Sequence, residues 1–172
     1  MKYVIYGPYT VPRKYNYNID GSKLAQKRFW DKVKSQVDVL DEACGCYVFA
    51  INNKPFYVGK TNRSFAKECF TARNVLIYQN AADLGLKGKP RLFFIAKQTK
   101  TGKFAKSAGN GHQDIKFLET LFIGMALEKN SDLQNINETK RLRKMVVPGF
   151  LNSPQGQPSK AVQSLKKVLK SK

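Results

Sequence analysis

The sequence predicts an α+β fold, in which helices flank a small three-stranded sheet of antiparallel or mixed strands. Three observations favour this class. Short β-type runs are bounded by Gly, Pro and Asn, apolar residues recur at helical spacing between and after these runs, and 42% of the 172 residues are hydrophobic. A chain of this length and composition is able to bury one domain core, and the predicted core order is strand, strand, helix, strand, helix.

The N-terminal segment is predicted to contain a strand and a helix. Residues 1–30 are rich in Tyr and Lys and are interrupted by Gly and Pro, which indicates a short strand followed by a loop. A helix of about residues 23–36 follows, with large apolar side chains on one side. We expect residues 1–42 to be an extension that packs on a core domain of residues 43–150.

The core domain begins with a predicted β-hairpin. Residues 46–51 are a β-type run, residues 52–54 are typical of a turn, and residues 55–58 form a second run closed by Gly59.

A helix and a third strand are predicted after the hairpin. Ser64 is a suitable N-cap for a helix that runs to about Tyr78. Its apolar stripe consists of Phe65, Cys69, Ala72 and Leu76. Glycines and a proline then interrupt the chain before the strand at residues 91–96.

Residues 113–129 form the most strongly predicted helix. Its apolar face consists of Ile115, Leu118, Leu121, Phe122, Met125 and Ala126. Glu119 projects among Ile115, Phe122, Ile123 and Ala126. A buried carboxylate needs a cation, a metal or a cluster of hydrogen-bond donors. An ion pair with one of the many basic side chains is the structural alternative to a metal-binding role.

The C-terminal residues 151–172 differ from the core in composition. They begin with Ser, Pro, Gln and Gly and continue into a Lys-rich stretch, which predicts a basic linker and tail with at most a short amphipathic helix. A weaker interpretation makes this helix an element that docks on a membrane surface or a protein.

The net charge of +19 is unevenly distributed. Residues 43–113 carry +10 and residues 139–172 carry +9, whereas residues 114–138 carry −3. Lys and Arg that neutralise phosphates release counterions, so we expect a nucleic acid, either DNA or RNA, as the partner. Two alternatives would also explain the net positive charge: binding to an anionic membrane, or a cationic surface that only keeps the protein soluble.

Several classes are excluded by composition. Three cysteines and one histidine supply neither a disulfide framework nor a zinc ligand set. No stretch approaches the length of a membrane span, and the N-terminus has no apolar signal region. We therefore expect a cytoplasmic protein without a membrane span.

Two tripeptides on the predicted hairpin carry a family resemblance. Gly45-Cys46-Tyr47 opens the first strand, Tyr57-Val58-Gly59 closes the second, and the chain continues as YVGKTNRSF. Over residues 43–137 the sequence resembles the GIY-YIG nuclease family. The resemblance implies that Tyr47 and Tyr57 line the active site and that one of them helps to activate water. Alternatively, the two tyrosines are an ordinary cross-strand pair.

The resemblance also assigns a metal ligand and supporting residues. LETLFIGMALEKN is similar to the family helix whose Glu binds the divalent metal, which makes Glu119 the ligand of Mg²⁺ or Mn²⁺. The family Arg is absent from its expected place, where Lys67 or Glu68 stands, so Arg63 or Lys67 takes that role. Asn135 matches a family Asn that orders the site, with an ordinary turn residue as the alternative.

Further cations are assigned to nucleic-acid contact. The set consists of Lys60, Arg73, Lys97, Lys140 and Arg141. His112 is either a general base or an incidental loop residue.

The predicted function is a metal-dependent endonuclease that hydrolyses phosphodiester bonds in DNA with one metal ion, two tyrosines, a cation and Glu119. The alternative is a protein that binds nucleic acid without cleaving it. The missing Arg favours the alternative, whereas the presence of both tyrosines and Glu119 favours the enzyme.

Overall fold

The structure of the chain is a computed structural model that describes residues 2–15, 17–84, 88–108, 111–149 and 158–169. The chain divides into two compact units, Met1–Asn135 and Ile136–Lys172. The first unit contains the predicted N-terminal extension together with most of the predicted core domain.

The first unit has the predicted α+β class. Its strands are β1 (Lys2–Thr10), β2 (Gly45–Ile51), β3 (Lys54–Thr61) and β4 (Pro90–Gln98), and its helices are α1 (Lys23–Gln36), α2 (Phe65–Glu68), α3 (Ala72–Asp83) and α4 (Gln113–Lys129). A short 3₁₀ helix covers Leu40–Glu42. Within the residues that are described, no helix has the length and apolar character needed to cross a membrane.

The sheet has four strands, so the three-stranded sheet predicted from the sequence is not confirmed. The strands are all antiparallel and follow the order β1-β4-β2-β3. The additional strand is β1, whose Tyr3 lies opposite Lys97 of β4. A strand was expected in this segment, but its partner lies about ninety residues further along the chain, and such long-range pairing leaves no local signal. The N-terminal segment is therefore part of the central sheet.

The helix predicted to run from Ser64 to Tyr78 is two helices. Ser64 caps α2 as predicted, since its Oγ accepts a hydrogen bond of 3.3 Å from the Lys67 amide. Thr71 then caps α3 in the same way, with a 3.3 Å bond from the Asn74 amide. A second N-cap starts a new helix and breaks the predicted stripe, so Leu76 is 61% exposed.

Helix α4 has the predicted bounds, but its buried face is narrower than predicted. Ile115, Ile123 and Ala126 are buried, whereas Leu121 and Met125 are more than half exposed. The helix packs on β3 and β2, and a single sheet covers only one stripe of a helix.

The core on the other face of the sheet is largely aromatic. Phe29 and Trp30 of α1, Phe70 and Phe94 form edge-to-face and tilted ring contacts with centroids 5.0–6.4 Å apart. Helices α1, α2 and α3 therefore cover one face of the sheet, and α4 covers the opposite face.

The second unit contains two helices in its described residues, α5 (Ile136–Lys144) and α6 (Lys160–Leu169). Helix α5 is not anticipated by the sequence analysis, whereas α6 corresponds to the predicted amphipathic helix of the tail. Of the predicted linker and tail, residues 151–157 and 170–172 lie outside the described residues.

Candidate functional site

The two motif tyrosines are neighbours on the face of the sheet covered by α3. In the register of β2 and β3, Tyr47 lies opposite Gly59 and Phe49 lies opposite Tyr57. The centroids of the two tyrosine rings are 6.1 Å apart, and the rings are tilted by 54°. Tyr47 is 1% exposed, while Tyr57 is partly exposed. The two rings are thus diagonal neighbours on adjacent strands, and Tyr57 is the member that solvent reaches.

Gly59 provides the space that Tyr47 occupies. A Cβ placed on Gly59 would overlap the Cζ and Oη atoms of the Tyr47 ring. The φ angle of Gly59 is not positive, so the backbone conformation does not itself require a glycine at this position. The glycine of the second tripeptide is therefore required by close packing of a ring on the neighbouring strand.

The hydroxyl of Tyr47 is held by a residue that the sequence analysis did not identify. Asn74, on the first turn of α3, donates from Nδ2 to the Tyr47 hydroxyl at 2.7 Å and to the Glu68 carbonyl at 2.8 Å. Burial, followed by the nearby Tyr78, Cys69 and Tyr57, raises the pKa of Tyr47 well above its usual range. Tyr47 therefore remains a neutral phenol at physiological pH and is unsuited to act as a base.

Tyr78 completes this cluster and was also missed. Its ring stacks on Phe49 with centroids 4.3 Å apart and lies 6.4 Å from the ring of Tyr57. Its hydroxyl is buried and has no hydrogen-bond partner among the described residues. Tyr78 lies on α3, about twenty residues after Tyr57, so only the packing of α3 on the sheet brings its ring beside the motif.

Glu119 and Lys60 form an ion pair on the opposite face of the sheet. The Glu119 side chain is 13% exposed and that of Lys60 is 33% exposed, and the ammonium group contacts Glu119 Oε2. An ion pair is the alternative expected for Glu119 from the sequence, and this ion pair is present. Its partner is the cation directly after the Tyr57-Val58-Gly59 tripeptide.

The sheet register separates this ion pair from the tyrosines. Cys46 lies opposite Lys60, and Tyr47 lies opposite Gly59. Since successive side chains of a strand point to opposite faces, Lys60 projects on the α4 side and Tyr47 on the α3 side. Burial and the nearby Glu119 charge raise the pKa of the Cys46 thiol to about 12. The predicted catalytic set is thus divided between two faces that meet at β3, the edge strand.

Asn135 holds the outer edge of β3. Its Oδ1 accepts a 2.8 Å hydrogen bond from the Val58 amide, and its Nδ2 donates a 2.7 Å bond to the Val58 carbonyl. Asn130 donates to the Pro55 carbonyl at 2.7 Å, and the Gln134 amide donates to the Phe56 carbonyl at the same distance. Residues 130–135 therefore close most of an otherwise open strand edge.

Three further cations that were predicted to contact phosphate are exposed, and all three follow β3 in the chain. Arg63 lies in the loop between β3 and α2, where its carbonyl accepts a 3.2 Å bond from the Cys44 thiol. Lys67 lies on α2 and Arg73 on α3. In the second unit, Lys140 and Arg141 are exposed on α5.

Lys97 is engaged in an internal network. Its ammonium group lies 2.8 Å from the carboxylate of Asp114 and 3.1 Å from His112 Nδ1, and the Tyr3 hydroxyl donates to Asp114 at 2.6 Å. His112 Nε2 lies 3.0 Å from the Lys106 carbonyl. A carbonyl only accepts, so Nε2 carries the proton and Nδ1 accepts from Lys97. The network joins β1, β4 and the start of α4.

The network keeps the carboxyl group of Asp114 ionised. Burial favours its neutral form, but hydrogen bonds from Lys97 and Tyr3 and the Lys97 charge outweigh burial and lower the pKa of the carboxyl group. Asp114 and Tyr3 were not identified from the sequence, because their meeting depends on the pairing of β1 with β4.

The described residues contain no cluster of three or more His, Cys, Asp or Glu side chains placed to hold a metal ion. Comparison with protein-family models, with curated proteins and with solved structures finds no match for this chain.

Proposed function

We propose that this protein is a metal-dependent nuclease of the GIY-YIG type that hydrolyses phosphodiester bonds in DNA. The contact between Glu119 and Lys60 is the observation that carries the proposal. It brings the carboxylate of α4 to the residue that directly follows the tripeptide containing Tyr57. The proposal is further supported by the net charge of +19 and by the tyrosine pair on adjacent strands.

The proposed site lies at the end of β3. Tyr57 and Lys60 are three residues apart, about 10 Å along a strand, and they project on opposite faces of an edge strand. A phosphodiester placed across this rim would have Tyr57 on one side and the pair of Lys60 and Glu119 on the other. The exposed Arg63 lies two residues after the end of β3 and would offset phosphate charge.

The two tyrosines have different roles in this proposal. Tyr57 is the partly exposed member, so its hydroxyl is the one that positions the attacking water. Tyr47 is buried behind it, and its neutral hydroxyl is held by Asn74. We therefore assign Tyr47 a positioning role rather than the role of a base.

The donor chemistry at Glu119 fits a magnesium ion. Mg²⁺ commonly uses one or two carboxylates and keeps several of its own waters, so a single carboxylate meets its requirement. Bound there, the ion would polarise the scissile phosphate. The Lys60 ammonium group contacts the same carboxylate, so the metal and Lys60 compete for Glu119.

Plasmid nicking tests this proposal. The full chain is incubated with supercoiled DNA and Mg²⁺ or Mn²⁺, and Glu119→Gln is compared with Glu128→Gln, which removes a charge from an exposed position of the same helix. We expect wild type and Glu128→Gln to nick the plasmid and Glu119→Gln to lose at least about a hundredfold in rate while still retaining DNA. Nicking by Glu119→Gln at the wild-type rate would overturn the assignment.

The second candidate function is nucleic-acid binding without hydrolysis. The ion pair of Glu119 and the burial of the Tyr47 hydroxyl favour it, because both groups are already satisfied within the protein. It predicts salt-sensitive retention of DNA and no nicking by wild type with any divalent metal.

A further inference from the structure

The N-terminal loop presents two tyrosines to solvent. Residues 13–15 and 17–19 are the two arms of a hairpin, in which Arg13 pairs with Ile19 and the Lys14 amide donates to the Asn18 carbonyl at 2.8 Å. At its tip, Tyr15 is 101% exposed and Tyr17 is 59% exposed. Aromatic rings normally contribute most by being buried, so packing within the fold does not account for these two residues.

The backbone of Tyr17 adds to this observation. Its φ of 63° lies in the left-handed region, which bulky residues rarely adopt. The Arg13 guanidinium lies 5.7 Å from the centroid of the Tyr17 ring, a distance typical of a cation–π contact. The Tyr17 ring therefore lies beside the Arg13 guanidinium, while more than half of the Tyr17 side chain remains exposed to solvent.

A basic cleft of about 730 Å³ lies beside the hairpin. It is lined by the end of β1, the hairpin, α1 and the segment that leads into β4. Its cations are Arg13, Lys14, Lys32 and Lys89, and none of the described residues that line it is acidic. A cleft with four cations and two exposed rings has the composition that holds a sugar-phosphate backbone while bases stack on aromatic faces.

We propose that this cleft and the tyrosines at its rim are a binding site for single-stranded nucleic acid, separate from the proposed hydrolytic site. Tyr15 and Tyr17 stack on two bases, and the four cations contact the adjoining phosphates. Unpaired bases are required, because bases in a duplex are already stacked on one another.

The position of the cleft relates it to the hydrolytic site. The Asn52 amide and side chain exchange two 3.0 Å hydrogen bonds with the backbone of Lys89, so the cleft adjoins the turn between β2 and β3. Lys60 lies at the other end of β3, about 20 Å away along the strand.

Binding is measured by fluorescence anisotropy with labelled oligodeoxythymidine of twelve nucleotides in EDTA, where metal-dependent cleavage does not occur. The expected result for the double variant Tyr15→Ala, Tyr17→Ala is at least about tenfold weaker binding. The double Phe variant keeps the rings and should bind as wild type does. Failure of the nuclease proposal would leave this measurement unaffected.

Two comparisons separate stacking from charge. Inorganic polyphosphate has no bases, so the double Ala variant should bind it as wild type does. Lys32→Ala should weaken binding of both ligands, while Lys27→Ala, on another side of α1 and paired with Asp31 at 2.7 Å, should change neither. If the double variant fails to fold, Tyr15→Ala alone, at a fully exposed position, decides the question. Unchanged oligonucleotide binding by the Ala variant, or an equal loss for polyphosphate, would overturn the proposal.

Discussion

Replacing Asn135 by Ala separates a structural role from a catalytic one. Asn135 is 1% exposed, and its side chain satisfies both the amide and the carbonyl of Val58, which is itself fully buried. The change removes both hydrogen bonds without adding a clash. We expect the sheet edge at β3 to weaken, because the two backbone groups of Val58 would be left without partners.

The expected cost is about 3 kcal/mol. Each buried backbone group left unsatisfied costs ~1–3 kcal/mol, and the shortened side chain allows limited relief by water. A domain of this size has a total stability of ~5–15 kcal/mol, so the protein should still fold. With a slope of about 2 kcal/mol per molar urea, the unfolding midpoint should fall by ~1.5 M.

Urea unfolding followed by circular dichroism measures this change, with Asn137→Ala, at an exposed position of α5, as the control. Asn135→Asp adds a pH test. An ionised Asp accepts from the Val58 amide but repels its carbonyl, whereas a protonated Asp also donates. The pKa of that Asp would be raised in the folded state, so the Asp variant should become more stable relative to wild type as pH falls below about 5. A wild-type midpoint for Asn135→Ala with complete loss of nicking would refute the structural role and make Asn135 a catalytic residue.

Two other predictions concern the motif glycine and the internal ion pair. Gly59→Ala should destabilise the protein by at least about 2 kcal/mol in urea unfolding, because its Cβ would overlap the buried Tyr47 ring. Combining Gly59→Ala with Tyr47→Leu should recover part of this loss of stability. An unfolding midpoint for Gly59→Ala equal to that of wild type would contradict this packing. Asp114→Asn should cost about 2 kcal/mol at pH 7, because Lys97 and Tyr3 lose a charged partner. The pKa of Asp114 is lowered in the folded protein, so its contribution to stability is fully present above the unfolded pKa of 3.8 and is lost as pH falls through the lowered folded pKa. Wild type and variant should therefore converge in stability at acidic pH, and a difference independent of pH would count against the ion pair.

Local signals in the sequence were sufficient for most of the individual elements. The cap at Ser64 and the bounds of α4 were predicted because capping and helical periodicity act within a few residues. The break at Thr71 was not predicted, because the apolar spacing continues across it and suggests one helix, although Thr71 is itself an N-cap. A strand was predicted in the N-terminal segment, but its place in the sheet was not, because the pairing of β1 with β4 is set by tertiary packing.

In the candidate site, too, local relations were predictable from the sequence and long-range contacts were not. The tyrosine pair followed from the hairpin, whose register is local. The partners of these residues did not follow, because Asn74 reaches Tyr47 and Lys60 reaches Glu119 only after α3 and α4 have packed on opposite faces of the sheet.

The acidic stretch around α4 changes how the net charge of +19 acts. Two of the lysines assigned to phosphate contact, Lys60 and Lys97, are paired with Glu119 and Asp114 of this helix. Helix α4 thus supplies counterions to the interior, and the excess positive charge lies on side chains such as Arg63 and Lys32, which are exposed. Only exposed cations release counterions on binding, so the salt dependence of DNA binding should reflect these residues, and Lys97→Met should leave its slope unchanged.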